Sequence, residues 1–145
     1  MCRAKRIVLS FASLIFLVAL LCQAASAIEL SPRASLYLNS YGASMYKGST
    51  AGNVRVEFTV LATEHSDYVG VSELIIYKSN GTRAATVRGT VGNGLLCDDT
   101  QVHIGHYDYY GVPGTSYYAI LTMYAERDGG SDSKTYITNT VTAPS

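Results

Sequence analysis

The chain has 145 residues, of which 48% are hydrophobic and 15% charged, and its 11 basic residues balance its 11 acidic ones. This length fits one folded domain, and the apolar fraction is that of a globular protein, not a disordered one. The basic residues are scattered singly and lack the dense positive surface that binds a phosphate backbone, so we expect no nucleic-acid partner.

The first 27 residues have the pattern of a cleavable export signal. Basic residues stand near the start, an apolar stretch covers residues 7–21, and Ala25-Ser26-Ala27 matches an A-x-A cleavage site. The apolar stretch is about 15 residues, shorter than the roughly 20 that cross a bilayer, which disfavours a membrane anchor. A lipoprotein attached through Cys22 is disfavoured because Leu21 stands where a small residue is usual. We therefore expect a signal peptide over residues 1–27 and a secreted mature domain over residues 28–145 that does not span the membrane.

Removal of this signal changes both the charge and the cysteine content. Three basic residues and no acidic ones are lost, which leaves 8 against 11 and a net charge of −3. Two of the three cysteines are also lost, so Cys97 has no partner for a disulfide within the mature chain. Asp98 and Asp99 beside it disfavour the thiolate that nucleophilic attack needs. A dimer linked through Cys97 stays open as an alternative.

Apolar and polar residues alternate with a period of two along most of the mature chain. The clearest strand covers residues 53–63, where Val54, Val56 and Phe58 share one face. Further strands are predicted over residues 36–46, 69–78, 83–88, 100–107, 116–126 and 134–142. All three prolines lie outside these segments, as strand pairing requires. The pattern predicts an all-β fold of about seven antiparallel strands.

Turn residues separate these strands. Asn80-Gly81 is the strongest short hairpin signal, because both residues tolerate a positive φ angle. Asp128-Gly129-Gly130 has turn chemistry before the last strand, and residues 89–99 are typical of a loop. Asn80-Gly81-Thr82 also matches an N-glycosylation sequence, although the hairpin turn explains it more simply.

The segment Val112-Pro113-Gly114-Thr115-Ser116-Tyr117 resembles the approach to strand F in fibronectin type III and related immunoglobulin-like domains. The resemblance implies an antiparallel β-sandwich of two sheets. It also implies that Tyr117 is a structural residue whose hydroxyl bonds back to the backbone. These domains usually have a core tryptophan, whereas this chain has none, so Phe58 and the strand valines would fill that volume. The closing run over residues 118–141, with its segment 124–133, resembles small exported proteins of Gram-positive bacteria without a characterised activity.

No residue pattern indicates a catalytic centre or a cofactor. His103-Ile104-Gly105-His106 matches a motif of class I aminoacyl-tRNA synthetases, but that motif opens a helix and here it lies in a β segment. His103 and His106 would point to opposite faces of a strand, which disfavours a shared metal ion, and His106 with Asp108 is the better pair. We expect no metal site, with calcium at the acidic turn around residues 126–132 as the alternative.

The sequence favours a non-catalytic module that binds an unknown protein or glycan at the cell exterior, or a structural surface module. Loops at the sheet ends carry recognition in such sandwiches. The candidate surface therefore combines residues 64–68, 92–99 and 126–132. Its candidate ligand-binding residues are Tyr68, Asp128 and Asp132.

A separate aromatic group is expected in the loop before Pro113, formed by Tyr107, Tyr109 and Tyr110. Tyrosine rings of this kind stack on sugars or on a protein partner. The competing class is a small secreted hydrolase that acts on glycans. Its carboxylates would have to converge from different strands into a cleft.

Overall fold

The computed structural model describes residues 35–145, which form seven β-strands and no helix. The strands are β1 (Leu38–Lys47), β2 (Asn53–Lys78), β3 (Arg83–Arg88), β4 (Leu96–Tyr110), β5 (Ser116–Arg127), β6 (Gly130–Ile137) and β7 (Val141–Thr142). All their pairings are antiparallel, so the predicted all-β class and strand number are confirmed. The predicted signal peptide lies outside the described residues. Within residues 35–145, no helix is long and apolar enough to cross a membrane.

The longest strand, β2, pairs with four other strands. One edge of β2 meets β1 and then β5, whereas the other edge meets β4 and then β3. The sequence predicted two strands here, over residues 53–63 and 69–78, but the chain stays extended between them. Because β2 is continuous, the described strands form one sheet that curls into a half-barrel. The predicted division into two separate sheets is not observed.

Strand β2 changes the side that faces the core as it bends. Over residues 54–62 the even-numbered side chains are buried, then Val69 and Val71 are buried, and then Leu74 and Ile76. Shifts in the pairing register against β4 and β5 fall between these stretches. Strand β2 has three extra residues at the first shift and one at the second, and an odd number of extra residues moves every later side chain to the other face. The two bulges therefore keep apolar side chains on the inner side along a strand that changes direction.

The inner side of the sheet holds one contiguous apolar core. Strand β5 supplies alternate residues to it, among them Tyr117, Leu121 and Met123, which are fully buried. Phe58 is also buried, as predicted, and its ring covers Gly105 on β4. A Cβ atom at Gly105 would lie 2.4 Å from the Phe58 ring. The aromatic ring thus occupies the space that the glycine leaves in the strand.

Side chains join the first strand to the end of the chain. The Asn139 amide donates to the carbonyl of Met45 and accepts from its N–H, both at 2.9 Å. The amide thus makes the two hydrogen bonds that the backbone of a neighbouring strand would make at this edge of β1. In β6, the Asp132 carboxylate accepts from the Ser35 hydroxyl at 2.7 Å and from the Tyr37 N–H at 2.8 Å. These four bonds hold residues 35–45 against residues 132–139.

The turns of the β2–β3 and β5–β6 hairpins differ in type. Asp128 and Gly129 both have positive φ angles, 54° and 77°, and form the two-residue loop between β5 and β6 that such angles favour. The predicted hairpin between β2 and β3 is confirmed. There only Gly81 has a positive φ angle, 84°, and the Asn80 side chain accepts a hydrogen bond from the Thr82 N–H at 2.9 Å. The Asn80 side chain thus stabilises the turn while its φ stays negative.

Other boundaries also differ from the sequence prediction, and β6 begins at Gly130, inside the predicted turn. Strand β4 begins at Leu96, inside the predicted loop, because residues 96–98 pair with β2 beyond the bulge. The last predicted strand is divided at Thr138, which lies between β6 and β7. The Thr138 hydroxyl accepts a hydrogen bond from the Ala119 N–H at 2.9 Å. A side chain here replaces a backbone group, so the ladder is interrupted.

Substitution of Asn139 tests whether its amide holds β1. We expect Asn139→Ala to lower the free energy of unfolding by about 1–2 kcal/mol, because two hydrogen bonds to Met45 are lost. Chemical denaturation measures the change. Thr140→Ala is the control, an exposed neighbour expected to change stability by less than about 0.5 kcal/mol. Equal effects of the two substitutions would contradict this role.

Asp132 is expected to make stability depend on pH. Hydrogen bonds from Ser35 and Tyr37 hold the pKa of its carboxyl group below the ordinary value of 3.8. Because the folded-state pKa is lowered, the stabilisation is present above about pH 4 and is lost as the pH falls through the folded-state pKa. Urea denaturation between about pH 5 and pH 2 should show a smaller acid-induced loss of stability in Asp132→Asn than in the wild type. Asp128→Asn, at a side chain that is 92% exposed, is the control and should keep the wild-type profile.

Candidate functional site

The three segments predicted to form a recognition surface do meet on the outer face of the sheet. Tyr68 of β2 is paired with Asp98 of β4 on one side and with Glu126 of β5 on the other. The segments are not all loops, since residues 64–68 and 96–99 belong to strands. Pairing across three strands, and not loop proximity, places a carboxylate on each side of Tyr68.

Two cavities of about 380 Å³ each adjoin at this row and share Tyr68 and Glu126 in their walls. We call them together the Tyr68 groove. The first is lined by Asp67, Tyr68, Asp98, Asp99 and Glu126, and the second by Tyr68, Ser72, Arg88, Gly89, Leu96, Tyr124 and Glu126. Their sizes fall in the range of small-ligand sites in proteins, which is about 300–1,000 Å³.

The first cavity is acidic. The Asp67 carboxylate accepts a hydrogen bond from the backbone N–H of Asp128 at 2.9 Å, which fastens the β5–β6 turn to β2. Asp99 lies 3.4 Å from the His65 ring and has a positive φ angle of 48°, a conformation that aspartate tolerates better than most residues. Asp98 is exposed. Four carboxylates therefore face one small volume, and the second cavity adds the cation of Arg88.

One of these carboxylates is oriented by a tyrosine. The Tyr124 hydroxyl donates a hydrogen bond to the Glu126 carboxylate. Burial, and then this carboxylate, raise the pKa of Tyr124, so the hydroxyl keeps its proton and remains a donor. The Tyr68 ring is 41% exposed. Tyr68 therefore offers an open aromatic surface beside a carboxylate whose position is set.

The loop before β4 is held against β2 by close backbone contact. Gly70 has a φ angle of 146°, and a Cβ atom there would lie 2.2 Å from the Leu95 carbonyl oxygen. The same carbonyl accepts from the Val71 N–H at 2.7 Å. The Asn93 side chain accepts from two backbone N–H groups of the loop and donates to the Arg88 carbonyl at 2.8 Å. Glycine at position 70 thus permits the contact that positions Leu96 and Asp98.

Asp128 and Asp132 do not line the groove. The Asp128 side chain is 92% exposed at the turn, and the Asp132 carboxylate is bonded to Ser35 and Tyr37. Across residues 35–145, no group of three histidine, cysteine or acidic side chains is arranged to hold a metal ion. Asp132 has a structural role, joining β6 to the segment before β1.

Tyr107, Tyr109 and Tyr110 lie in strand β4 and not in a loop. Tyr107 and Tyr109 are half-buried against the core, whereas Tyr110 is 69% exposed. Successive side chains of a strand point to opposite faces, so Tyr110 is separated from the other two. Burial, and then the neighbouring tyrosines, raise the pKa of Tyr109. The predicted single aromatic surface is therefore not formed.

Tyr117 is fully buried at the start of β5. Its hydroxyl accepts a hydrogen bond from the Val112 N–H at 2.8 Å, across the turn that contains Pro113. Its ring meets Tyr109 edge-to-face with 5.4 Å between centroids. A Cβ atom at Gly111 would lie 2.4 Å from the Tyr117 oxygen, so glycine is needed there. The bond fixes the path of the chain from β4 into β5.

The remaining candidate residues of β4 have structural contacts. His103 lies 2.8 Å from the Gly94 carbonyl oxygen and edge-on to Phe58. His106 lies 3.9 Å from Asp108, which forms a two-point hydrogen-bonded ion pair with Arg55 at 2.9 and 2.8 Å. These bonds from Arg55 lower the pKa of Asp108.

Cys97 is half-buried on β4, opposite Val69. No other cysteine lies within residues 35–145. The thiol lies 3.7 Å from the carbonyl oxygen of Asp98. Covalent pairing of Cys97 between two copies of the chain stays a prediction.

Sequence reasoning missed the part of the groove formed by Tyr124, Ser72 and Arg88. Tyr124 belongs to the half-buried row of β5, and its alternation with buried residues is visible in the sequence. The alternation does not say which β2 residue lies beside it. That pairing depends on the bulges in β2, which no local pattern revealed.

No protein-family model and no curated protein sequence matches this chain. The Tyr68 groove must therefore be interpreted from its own residues.

We expect Tyr117→Phe to destabilise the protein by about 1–2 kcal/mol, because the Val112 N–H loses its acceptor next to the core. Thermal and chemical denaturation measure this loss. Tyr118→Phe is the matched control, since that ring stacks on Tyr77 on the outer face and keeps its packing without the hydroxyl. A loss in Tyr118→Phe as large as in Tyr117→Phe would contradict the role assigned to the buried hydroxyl.

Proposed function

We propose that the protein is exported and acts as a non-catalytic binding module, with the Tyr68 groove as its recognition surface for a protein or glycan outside the cell. The observation that carries the proposal is the exposed Tyr68 ring with a strand-borne carboxylate on each side. Export is supported by the basic start, the apolar stretch and the A-x-A site of residues 1–27.

The groove has the chemistry of a surface that recognises hydroxyl or cationic groups. Carboxylates accept hydrogen bonds from sugar hydroxyls and from lysine or arginine side chains. A tyrosine ring supplies apolar contact area with little entropy loss, which is why tyrosine is enriched at interfaces. The excess of carboxylates opposes an anionic ligand. The groove therefore favours a neutral glycan or a basic segment of a protein.

We also infer that the domain is a variant of the immunoglobulin-like sandwich in which one long strand joins the two layers. The support is local. The buried Tyr117 hydroxyl bonds to the backbone five residues upstream, after a segment with proline and glycine. The seven antiparallel strands and the single core agree with this interpretation.

Binding to a printed glycan array and to a panel of extracellular proteins tests the proposed function. Tyr68→Ala should weaken a positive signal about tenfold or more, since aromatic residues at the centre of an interface contribute most of the binding energy. Tyr110→Ala is the matched control, because Tyr110 is exposed outside the groove. Loss of binding in Tyr110→Ala with retention in Tyr68→Ala would reject the groove.

A glycan hydrolase is the second candidate, favoured by one observation. Asp98 and Glu126 lie on the strands that flank β2, so their backbones are about 10 Å apart, two strand spacings. Carboxyl groups about 5–10 Å apart serve glycoside hydrolysis. Any glycan that binds should therefore be incubated with the protein and analysed for cleavage. Cleavage that Asp98→Asn abolishes would replace the binding proposal with this one.

A further inference from the structure

Strand β4 has one edge without a partner. It pairs with β2 alone, and no strand within residues 35–145 pairs with its other side. The free N–H and C=O groups of such an edge are a template for another strand. Residues 100–107 contain no Lys, Arg, Asp, Glu or Pro, the residues that usually protect an edge.

The outer edges of β1, β3 and β6 are protected. Strand β3 has only six residues, and Arg83 and Arg88 are exposed at its ends. The edge of β1 holds the Asn139 amide at Met45. Strand β6 carries an exposed lysine, Lys134, on the same face as Asp132, whose carboxylate bonds to Ser35. In β4 the Thr100 hydroxyl donates to the C=O of Val102 at 2.9 Å and accepts from its N–H at 3.3 Å, whereas no described side chain bonds to the backbone of residues 103–107.

Apolar side chains are exposed along the same part of β4. Ile104 is 74% exposed, the largest value for a bulky apolar side chain among the described residues, and Val102 is 47% exposed. The two lie on one face because they are two positions apart. Covering them with another strand would remove apolar surface from water at the place where backbone groups are unpaired.

We propose that two copies of the chain pair antiparallel through β4, about a two-fold axis at Ile104. Such a dimer is closed, because the same strand serves both partners. The sequence is complementary to itself in this register. The opposed pairs would be Ile104 with Ile104, His103 with Gly105, Val102 with His106, Gln101 with Tyr107 and Thr100 with Asp108. Thr100 then lies opposite Asp108, a polar residue opposite a charged one, and no two like charges are opposed along the strand.

Neighbouring registers are less favourable. An axis at His103 places Asp98 opposite Asp108 of the second copy, and like charges directly opposite destabilise a strand pair. An axis at Gly105 places Asp108 opposite the apolar side chain of Val102. The register centred on Ile104 avoids both conflicts and joins the most exposed apolar side chains.

Sedimentation velocity of the purified protein over a range of concentrations, with a thiol reductant present, tests the dimer. We expect a monomer–dimer equilibrium whose dissociation constant rises about tenfold or more in Ile104→Lys, because two lysines would face each other. Ile137→Lys is the matched control, since Ile137 is 61% exposed on β6, and it should leave the constant unchanged. Circular dichroism checks that both variants keep the β fold.

A cysteine placed on the axis tests the register. Ile104→Cys in a Cys97→Ser background should form a disulfide-linked dimer on mild oxidation, because opposed Cα atoms about 4.5–5.5 Å apart suit a disulfide. Thr100→Cys in the same background should form none, since the two copies of that residue would lie about 27 Å apart. Monomer at every concentration, a dimer that disappears with reductant, or equal effects of the two lysine variants would each overturn the proposal.

Discussion

The continuous pairing of strand β2 is the constraint on which the rest of the structure depends. Four of the other six strands pair with it, so its path determines where both halves of the sheet lie. If the side chains of β2 alternated without interruption along the whole strand, Val69 and Val71 would face solvent. The two bulges prevent this by exchanging the faces of the strand where its direction changes. The core can then be contiguous although the sheet curls.

The Tyr68 groove is a consequence of the same irregularity. Tyr68 lies between the buried Ser66 and the buried Val69, where the inner and outer faces of β2 exchange. Its ring is exposed there, with strands β4 and β5 on either side. Bulges often place side chains at recognition sites for this reason. The proposed binding surface is thus built on a paired strand, which is more rigid than a loop.

The stabilising side-chain contacts and the proposed recognition surface occupy different parts of the molecule. The bonds of Asn139, Asp132 and Tyr117 join segments distant in sequence, and none of these residues lines the groove. The groove acids face solvent, where mutual repulsion is screened. The proposed pairing edge, residues 100–108, is a third surface. Tyr68 and Ile104, the residues substituted in the binding and association tests, lie in different regions.

The sequence by itself determined the all-β class, most strand positions and the burial of Phe58. These properties follow from side-chain alternation and turn residues, which are local. Only the tertiary structure decided that residues 64–68 are strand, that Asp132 holds β6 to the first segment, and that the Tyr107 to Tyr110 region is split between two faces. The physical reason is that register and bulges depend on which partner strands pair with one backbone. A local sequence pattern does not identify those partners.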